Sequence, residues 1–191
     1  MKSGRMEAFS DGVLAIIITI MVLEMAAPEE PTLAALQPLI PTFLSYALSF
    51  VFVAIYWNNH HHLLQAVERV NGRVLWANVH LLFWLSLVPF VTAWMGENEF
   101  AEWPVAVYGI VLVYAGIAYF ILSRALIALH GRDSVLAAAV QQDIKGKASV
   151  VIYMIAIPLA FVSTWLAGGL YVLVAVIWLV PDRRIENVLA D

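Results

Sequence analysis

One carboxylate interrupts the first apolar segment of the chain, and its position raises the question of what chemistry it does. Asp11 comes after Arg5, Phe9 and Ser10 and before the largely apolar run Val13–Leu23. An ionisable group inside a membrane-spanning helix is costly and usually faces protein or water, which makes Asp11 a candidate for ion handling, a proton relay or a buried polar network. The competing interpretation is a solvated carboxylate in the first turn that complements the helix dipole.

The same segment carries an apolar stripe at helical spacing. Val13, Ile16, Ile20 and Leu23 recur at intervals of three or four residues. Such a stripe is usually a packing surface, but repeated around the axis of an oligomer it forms a hydrophobic constriction. Thr19 lies about 60° from Ile16 on the helical wheel, and its hydroxyl is free either to face a passing ion or to bond back to the carbonyl of Ala15. Asp11 lies about 140° from Ile16, so we expect it to face neighbouring helices.

The composition indicates that lipid surrounds most of the chain. Of its 191 residues, 63% are hydrophobic and 13% are charged, whereas a soluble domain is about half apolar and a quarter charged. The absence of cysteine excludes disulfides, thiolate metal sites and cysteine catalysis. No phosphate-binding loop, dinucleotide fingerprint, serine nucleophile motif or nucleic-acid module occurs, so we expect no enzyme activity, no cofactor and no nucleic-acid partner.

Charge-free stretches divide residues 1–191 into six predicted spans of one all-α integral membrane domain. A hydrocarbon core of ~30 Å needs about 20 helical residues. The predicted spans are approximately 6–27, 38–60, 74–96, 103–124, 148–167 and 169–185. Gly168 and Gly169 are expected to form the turn between the last two. The first span also resembles a signal peptide, but Asp11 interrupts its apolar region, so we interpret it as a true span.

The basic residues predict the orientation of these spans. All ten fall on one side of the six-span topology: Lys2, Arg5, Arg69, Arg73, Arg124, Arg132, Lys145, Lys147, Arg183 and Arg184. The charged residues of the loops on the opposite side are all acidic. Because basic loops remain in the cytoplasm, both termini are predicted to be cytoplasmic, in a membrane of the bacterial inner-membrane type.

The first helix also resembles that of a known family. Arg5, Phe9, Ser10 and Asp11 form R-x-x-x-F-S-D, which is similar to the signature of the transmembrane protein 175 family, the lysosomal and bacterial potassium channels. The resemblance is motif-specific over the first helix and extends to chain length, six spans and cytoplasmic termini. It implies a homotetramer of six-helix chains whose first helices line a central pore, without the T-V-G-Y-G filter of ordinary potassium channels.

The resemblance further implies which residues line that pore. Family members are narrowest at bulky aliphatic side chains of the first helix, which correspond here to Ile16, Ile20 and Leu23. Thr19 would be a polar pore-lining residue beside them. The permeant ion implied is K⁺, and discrimination against other alkali ions is expected to be modest.

The Ser-Asp pair of the family is thought to hold a polar network with the second and third helices. Because a buried carboxylate needs donors, we predict that Trp76, Asn78 and His80 form this network, with Asn78 and His80 as the favoured partners of Asp11. The run His60–His62 is expected to be a polar cap or part of the network. It is not expected to bind metal, because consecutive histidines point in different directions on a helix.

Three functions therefore remain open, with a potassium-permeable cation channel favoured. A proton-coupled secondary transporter, or a proton-permeable channel, would use Asp11 and His80 as a relay. The unbroken periodicity of the first helix argues against a transporter, whose helices are often broken at the substrate site. A structural membrane protein without transport activity is the third possibility.

The predicted orientation is testable with reporter fusions. Because all ten basic residues fall on one side of the topology, fusions placed at Arg132 and at Asp191 are both expected to report a cytoplasmic location. Reporter activity on opposite sides of the membrane would contradict the six-span arrangement.

Overall fold

The fold is described from a computed structural model that covers residues 3–67, 69–131, 134, 136–137 and 143–179. The α-helices described in these ranges are α1 (Gly4–Leu23), α2 (Ile40–Gln65), α3 (Gly72–Ser86), α4 (Val88–Glu97), α5 (Glu102–His130), α6 (Ile144–Leu159) and α7 (Thr164–Leu179). A 3-10 helix, Leu33–Leu39, leads directly into α2. The predicted all-α fold is confirmed.

Four helical segments are long and apolar enough to cross a bilayer: Gly4–Leu23, Leu33–Gln65, Gly72–Glu97 and Glu102–His130. Helices α6 and α7 have 16 residues each in the described part of the chain, which corresponds to about 24 Å. Helices α3 and α4 together correspond to one of the four segments, Gly72–Glu97. The predicted end of the last segment, at residue 185, lies outside the described residues, as do Lys2, Arg132, Arg183 and Arg184.

The third segment is broken near its middle because of a proline. Helix α3 ends at Ser86 and α4 begins at Val88, with Pro89 in its first turn. A proline has no N–H and its ring clashes with the preceding turn, which disfavours a continuous helix. Pro41, in contrast, stands in the first turn of α2, where a missing N–H costs little. Pro41 therefore begins a helix and does not kink one.

The predicted turn at Gly168 and Gly169 is also wrong. The chain turns at residues 160–163, and both glycines lie inside α7. Ser163 explains the position, because its Oγ accepts the N–H of Leu166 at 3.4 Å and so caps the start of α7. Glycine is frequent inside membrane helices, and a Cβ at Gly168 or Gly169 would meet nothing within 4 Å.

Helix α5 is at the centre of the bundle and contacts α3, α4, α6 and α7. Its buried surface includes the small residues Ala106, Gly109, Ala115 and Ala118. Helices in lipid associate mainly through close packing, which small residues permit. Gly109 is the tightest point, because a Cβ there would lie in the space of the Tyr171 hydroxyl and 3.0 Å from the Cγ1 of Ile157.

A group of buried hydroxyls joins three helices inside the bundle. Thr92 Oγ1 on α4 lies 2.6 Å from Ser49 Oγ on α2, and Ser49 Oγ lies 3.0 Å from the hydroxyl of Tyr108 on α5. Tyr171 on α7 donates to the carbonyl of Val105 at 3.0 Å. These polar side chains are satisfied inside the protein, as burial among apolar neighbours requires.

Helix α1 has two distinct faces. Its buried face consists of Met6, Ser10, Leu14, Ile17 and Met21, and it packs against α2, α3 and α4. The opposite face is exposed in the single chain. The bundle therefore fixes the rotation of α1, because only one of its two faces has protein neighbours.

The packing at Gly109 gives a first stability test. We expect Gly109→Ala to lower the melting temperature of the purified protein in detergent, because overpacking of this kind costs about 1–3 kcal/mol and displaces the Tyr171 hydroxyl. Gly169→Ala is the matched control, since the same methyl group meets open space there. Equal melting temperatures for the two variants would contradict the close approach of α5 and α7.

Candidate functional site: the two faces of the first helix

The exposed face of α1 carries the predicted constriction residues. Ile16 is 58% exposed and Leu23 is 79% exposed, and Ile20 and Thr19 are exposed beside them. We call these four residues the outer stripe of α1. Val13, the remaining member of the periodic set, is partly buried and packs against the core. Ile17, one position from Ile16, is only 3% exposed.

The side chain of Thr19 bonds to its own helix. Its Oγ1 donates to the carbonyl of Ile16 at 3.0 Å. The acceptor is thus the residue after Ala15, whose carbonyl was the partner suggested by the sequence. A hydroxyl that donates in this way keeps its lone pairs available. Thr19 therefore presents an acceptor oxygen on the outer stripe, among side chains that are otherwise hydrocarbon.

Small residues continue the same exposed face toward the N-terminus. Ala8, Gly12 and Ala15 are exposed, and a Cβ at Gly12 would meet nothing within 4 Å. Small side chains allow the backbones of membrane helices to approach closely. Gly12 and Ala15 therefore leave room for close approach immediately before the bulky side chains that begin at Ile16.

A directed chain of hydrogen bonds holds the buried face of α1 to two other helices. His60 Nε2 on α2 lies 2.7 Å from Asn78 Oδ1 on α3, and Asn78 Nδ2 donates to Ser10 Oγ at 2.9 Å. Ser10 in turn donates to the carbonyl of Met6 at 2.8 Å. Because the Asn78 amide oxygen accepts, His60 carries its proton on Nε2 in the neutral form. All three side chains are at most 1% exposed.

A second set of contacts joins α1 to α2 alone. Trp57 Nε1 donates to Asp11 Oδ1 at 3.0 Å, and His61 Nδ1 lies within hydrogen-bond distance, 3.1 Å, of Glu7 Oε1. The two acids are four residues apart on α1, and the two rings are four residues apart on α2. The rings also stack, with centroids 5.8 Å apart. We call this arrangement the α1–α2 ladder.

The structure corrects the predicted supporting network. Asn78 contacts Ser10 and not Asp11, while His80 accepts a bond from Trp84 Nε1 on its own helix at 3.0 Å. Trp76 is 76% exposed. The helical periodicity explains this separation, because residues two positions apart on a helix point in different directions. Asn78 faces α1, and neither Trp76 nor His80 belongs to the hydrogen-bonded chain.

Sequence reasoning missed several of the residues that do hold α1. Trp57 binds Asp11, and His61 binds Glu7, but neither pair was predicted. The signal for both pairs is the matched spacing of four residues between Glu7 and Asp11 and between Trp57 and His61. Helix α2 also continues to Gln65, five residues beyond the predicted span, which brings the histidines into the helical packing.

The signature residues Arg5 and Phe9 lie on the exposed face of α1. Phe9 is 59% exposed, and Arg5 is exposed one turn before it. Among the described residues, no group of three or more histidines and carboxylates is arranged to hold a metal ion.

Comparison with known proteins agrees with this arrangement of helices. The sequence profile of the endosomal/lysosomal potassium channel TMEM175 matches residues 5–89. A protein named as a potassium channel from Chryseobacterium is 54% identical over 191 residues, which is 100% of both chains. The chain belongs to the TMEM175 family.

Two further relatives extend the comparison to a solved structure. A protein named as a potassium channel from Chamaesiphon minutus is 32% identical, with 92% of each chain covered. The crystal structure of a lysosomal potassium-selective channel TMEM175 homologue from Chamaesiphon minutus has a TM-score of 0.80 and 30% identity, covering 92% of this chain and 95% of that one. The family consists of ion channels, so the present TMEM175 protein is a multi-pass membrane protein and not an enzyme.

The hydrogen-bonded chain yields a stability prediction. Asn78→Ala is expected to leave His60 Nε2 without a partner and to remove the donor to Ser10 Oγ, which costs about 1–3 kcal/mol of the free energy of unfolding because unsatisfied buried groups are not rehydrated. Asp11→Ala is expected to cost less, because Asp11 is only partly buried. Unfolding titrations in mixed micelles would measure both. A larger loss for Asp11→Ala would show that the α1–α2 ladder is the stronger attachment.

Proposed function

We propose that this protein is a potassium-permeable cation channel in which four chains assemble around a pore lined by α1. The observation that supports it best is the exposure of the outer stripe: Ile16, Thr19, Ile20 and Leu23 form one face that none of the described helices covers. The names of the bacterial relatives and the full-length similarity to a solved TMEM175 homologue support the same function. In this arrangement the channel lies in a bacterial-type inner membrane with both termini cytoplasmic.

The physical basis of selectivity would differ from that of a carbonyl filter. The sequence contains no T-V-G-Y-G segment, and four copies of Ile16, Ile20 and Leu23 offer no ligand to replace the hydration shell of an ion. Such a ring excludes ions by dewetting when narrow and passes them hydrated or partly hydrated when wider. K⁺ would therefore be favoured over Na⁺ only modestly, with no cofactor involved. Thr19 supplies the one side-chain oxygen of the outer stripe.

The contacts of Asp11 and His80 favour a channel over a proton-coupled transporter. Asp11 is bonded to Trp57 on α2, and His80 is bonded to Trp84 on α3. A direct proton relay needs its two groups within hydrogen-bond reach, and these two use different partners. Helix α1 is also continuous over 20 residues, without the break that often forms the substrate site of a transporter.

The pore assignment predicts a different result for each of three asparagine substitutions in α1. Ile16→Asn is expected to raise K⁺ flux into liposomes several-fold, because a polar ring keeps the constriction wet. Val22→Asn is the matched control, since Val22 is also exposed but lies about 120° from Ile16 around the helix. Ile17→Asn would bury an amide and is expected to lower stability, because a buried polar group without partners is costly.

The measurement is single-channel recording or liposome flux on protein whose oligomeric state has been verified. Equal flux for Ile16→Asn and Val22→Asn in intact assemblies would place another face of α1 on the axis. An increase for Val22→Asn alone would have the same consequence. A correctly assembled protein with no cation flux in any variant would overturn the channel function.

A further inference from the structure

A cavity of about 300 Å³ lies between α2, α5, α6 and α7. Its walls are mostly apolar and aromatic, with Phe52, Val150 and Trp178 among them, and α1 contributes none of its described lining. Ile117 and Phe120 also line it and are 37% and 44% exposed, so the cavity opens toward the outer surface of the bundle. Its position separates it from the outer stripe of α1.

Two tyrosine hydroxyls of this cavity are unused by the protein. Tyr56 and Tyr153 line it, and neither hydroxyl has a hydrogen-bond partner within the part of the chain that the structure describes. The other polar groups of the wall are occupied: Tyr119 donates to the carbonyl of Asn59 at 3.1 Å, and Trp178 donates to Ser149 at 2.9 Å. Buried tyrosine hydroxyls usually find a partner, so the two unused ones are available to a ligand.

The polar groups of the cavity are concentrated at one end. Asp143 and Lys147 both line it near the start of α6. The Asp143 carboxylate is engaged, because it accepts the N–H of Gly146 at 2.9 Å and caps the helix, whereas Lys147 is exposed. Tyr153 lies ten residues beyond Asp143, or about 15 Å farther along the helix axis.

This gradient of polarity matches an amphiphile with an anionic head. Lys147 provides an accessible positive charge at the mouth, and such a group near a membrane surface attracts anionic headgroups. The Tyr56 hydroxyl is deeper, about 3.8 Å from the position of a Cβ at Gly116, which is itself beside Val150. Val150 is three residues beyond Lys147, or about 4.5 Å farther along the axis of α6, and Tyr56 and Lys147 both line the cavity.

We propose that this cavity binds one acyl chain of an anionic phospholipid from the leaflet on the Lys147 side. The acyl chain lies between α2, α5 and α6 and reaches toward Phe52 and Tyr153. The phosphate contacts Lys147, and the Tyr56 hydroxyl donates to an ester carbonyl. A membrane protein meets acyl chains at its outer surface, and an open apolar cavity left empty would forfeit the van der Waals contacts of its walls.

The test is a lipid titration of the purified full-length protein, with bound lipid counted by native mass spectrometry. Phosphatidylglycerol is the anionic probe and phosphatidylcholine of the same acyl chains is the neutral one. We expect wild type to bind phosphatidylglycerol at least about fivefold more tightly, as one lysine near a membrane surface predicts. Lys147→Glu is expected to abolish this preference, and Arg73→Glu, which reverses an exposed charge away from the cavity, to keep it.

Two further pairs of variants test the apolar part of the cavity. Val150→Trp fills it and is expected to lower binding of both lipids, whereas Val151→Trp, on the exposed side of α6, leaves binding unchanged. Tyr56→Phe removes only a hydroxyl and is expected to weaken phosphatidylglycerol binding by roughly two- to tenfold. It should not change the melting temperature in lipid-free detergent. Tyr46→Phe, outside the cavity, is its control.

The results that would overturn the proposal are specific. Unchanged phosphatidylglycerol affinity in both Val150→Trp and Tyr56→Phe would show that lipid does not enter the cavity. Retention of the headgroup preference in Lys147→Glu would remove the anchor at its mouth. Oleate binding in preference to phosphatidylglycerol would assign the cavity to a free fatty acid instead of a phospholipid.

Discussion

The high cost of an unpaired polar group in hydrocarbon is the constraint on which this structure depends. Water cannot satisfy such a group within a bilayer, so a partner inside the protein stabilises a polar side chain at that depth. Ser10, Asn78 and His60 provide such partners for one another through Ser10 Oγ, the Asn78 amide and His60 Nε2, whereas His60 Nδ1 has no partner among the described residues. Because the three lie on three different helices, satisfying them also fixes how those helices are placed.

The rotation of α1 follows from this constraint. Ser10 directs one face of α1 toward α3, and the α1–α2 ladder of Glu7, Asp11, Trp57 and His61 holds the adjacent side to α2. With these faces engaged, no described helix of the same chain covers the outer stripe. Exposure of hydrocarbon is inexpensive in a membrane, so no local force buries the stripe again. The polar contacts thus determine which apolar residues are presented outward for the proposed pore.

The remaining helices form a close-packed support by a different means. Helix α5 uses alanine and glycine to approach its neighbours, and Tyr171 occupies the space that Gly109 leaves. The hydroxyls of Thr92, Ser49 and Tyr108 tie α4, α2 and α5 together. Packing is less tight toward the start of α6, where the cavity of about 300 Å³ lies. The same bundle therefore contains a rigid centre and, in our proposal, one site for the surrounding membrane.

The sequence by itself determined the class of protein and revealed the periodic apolar stripe on α1. These properties depend on composition and on a period of 3.6 residues, which are local. It also singled out Ser10, Asp11 and Asn78 as polar residues that need partners. The placement of the last turn was missed, because the serine cap at residue 163 prevailed over two glycines that a membrane helix tolerates.

Only the tertiary structure decided which polar residues pair. Asp11 binds Trp57 and not His80, and Ser10 binds Asn78, because pairing depends on the rotation and depth of each helix relative to the others. A change of one residue in register rotates a side chain by about 100°, which is enough to exchange one partner for another. The cavity beside α6 likewise arises where α2 meets the later helices α5, α6 and α7, and no single segment indicates it.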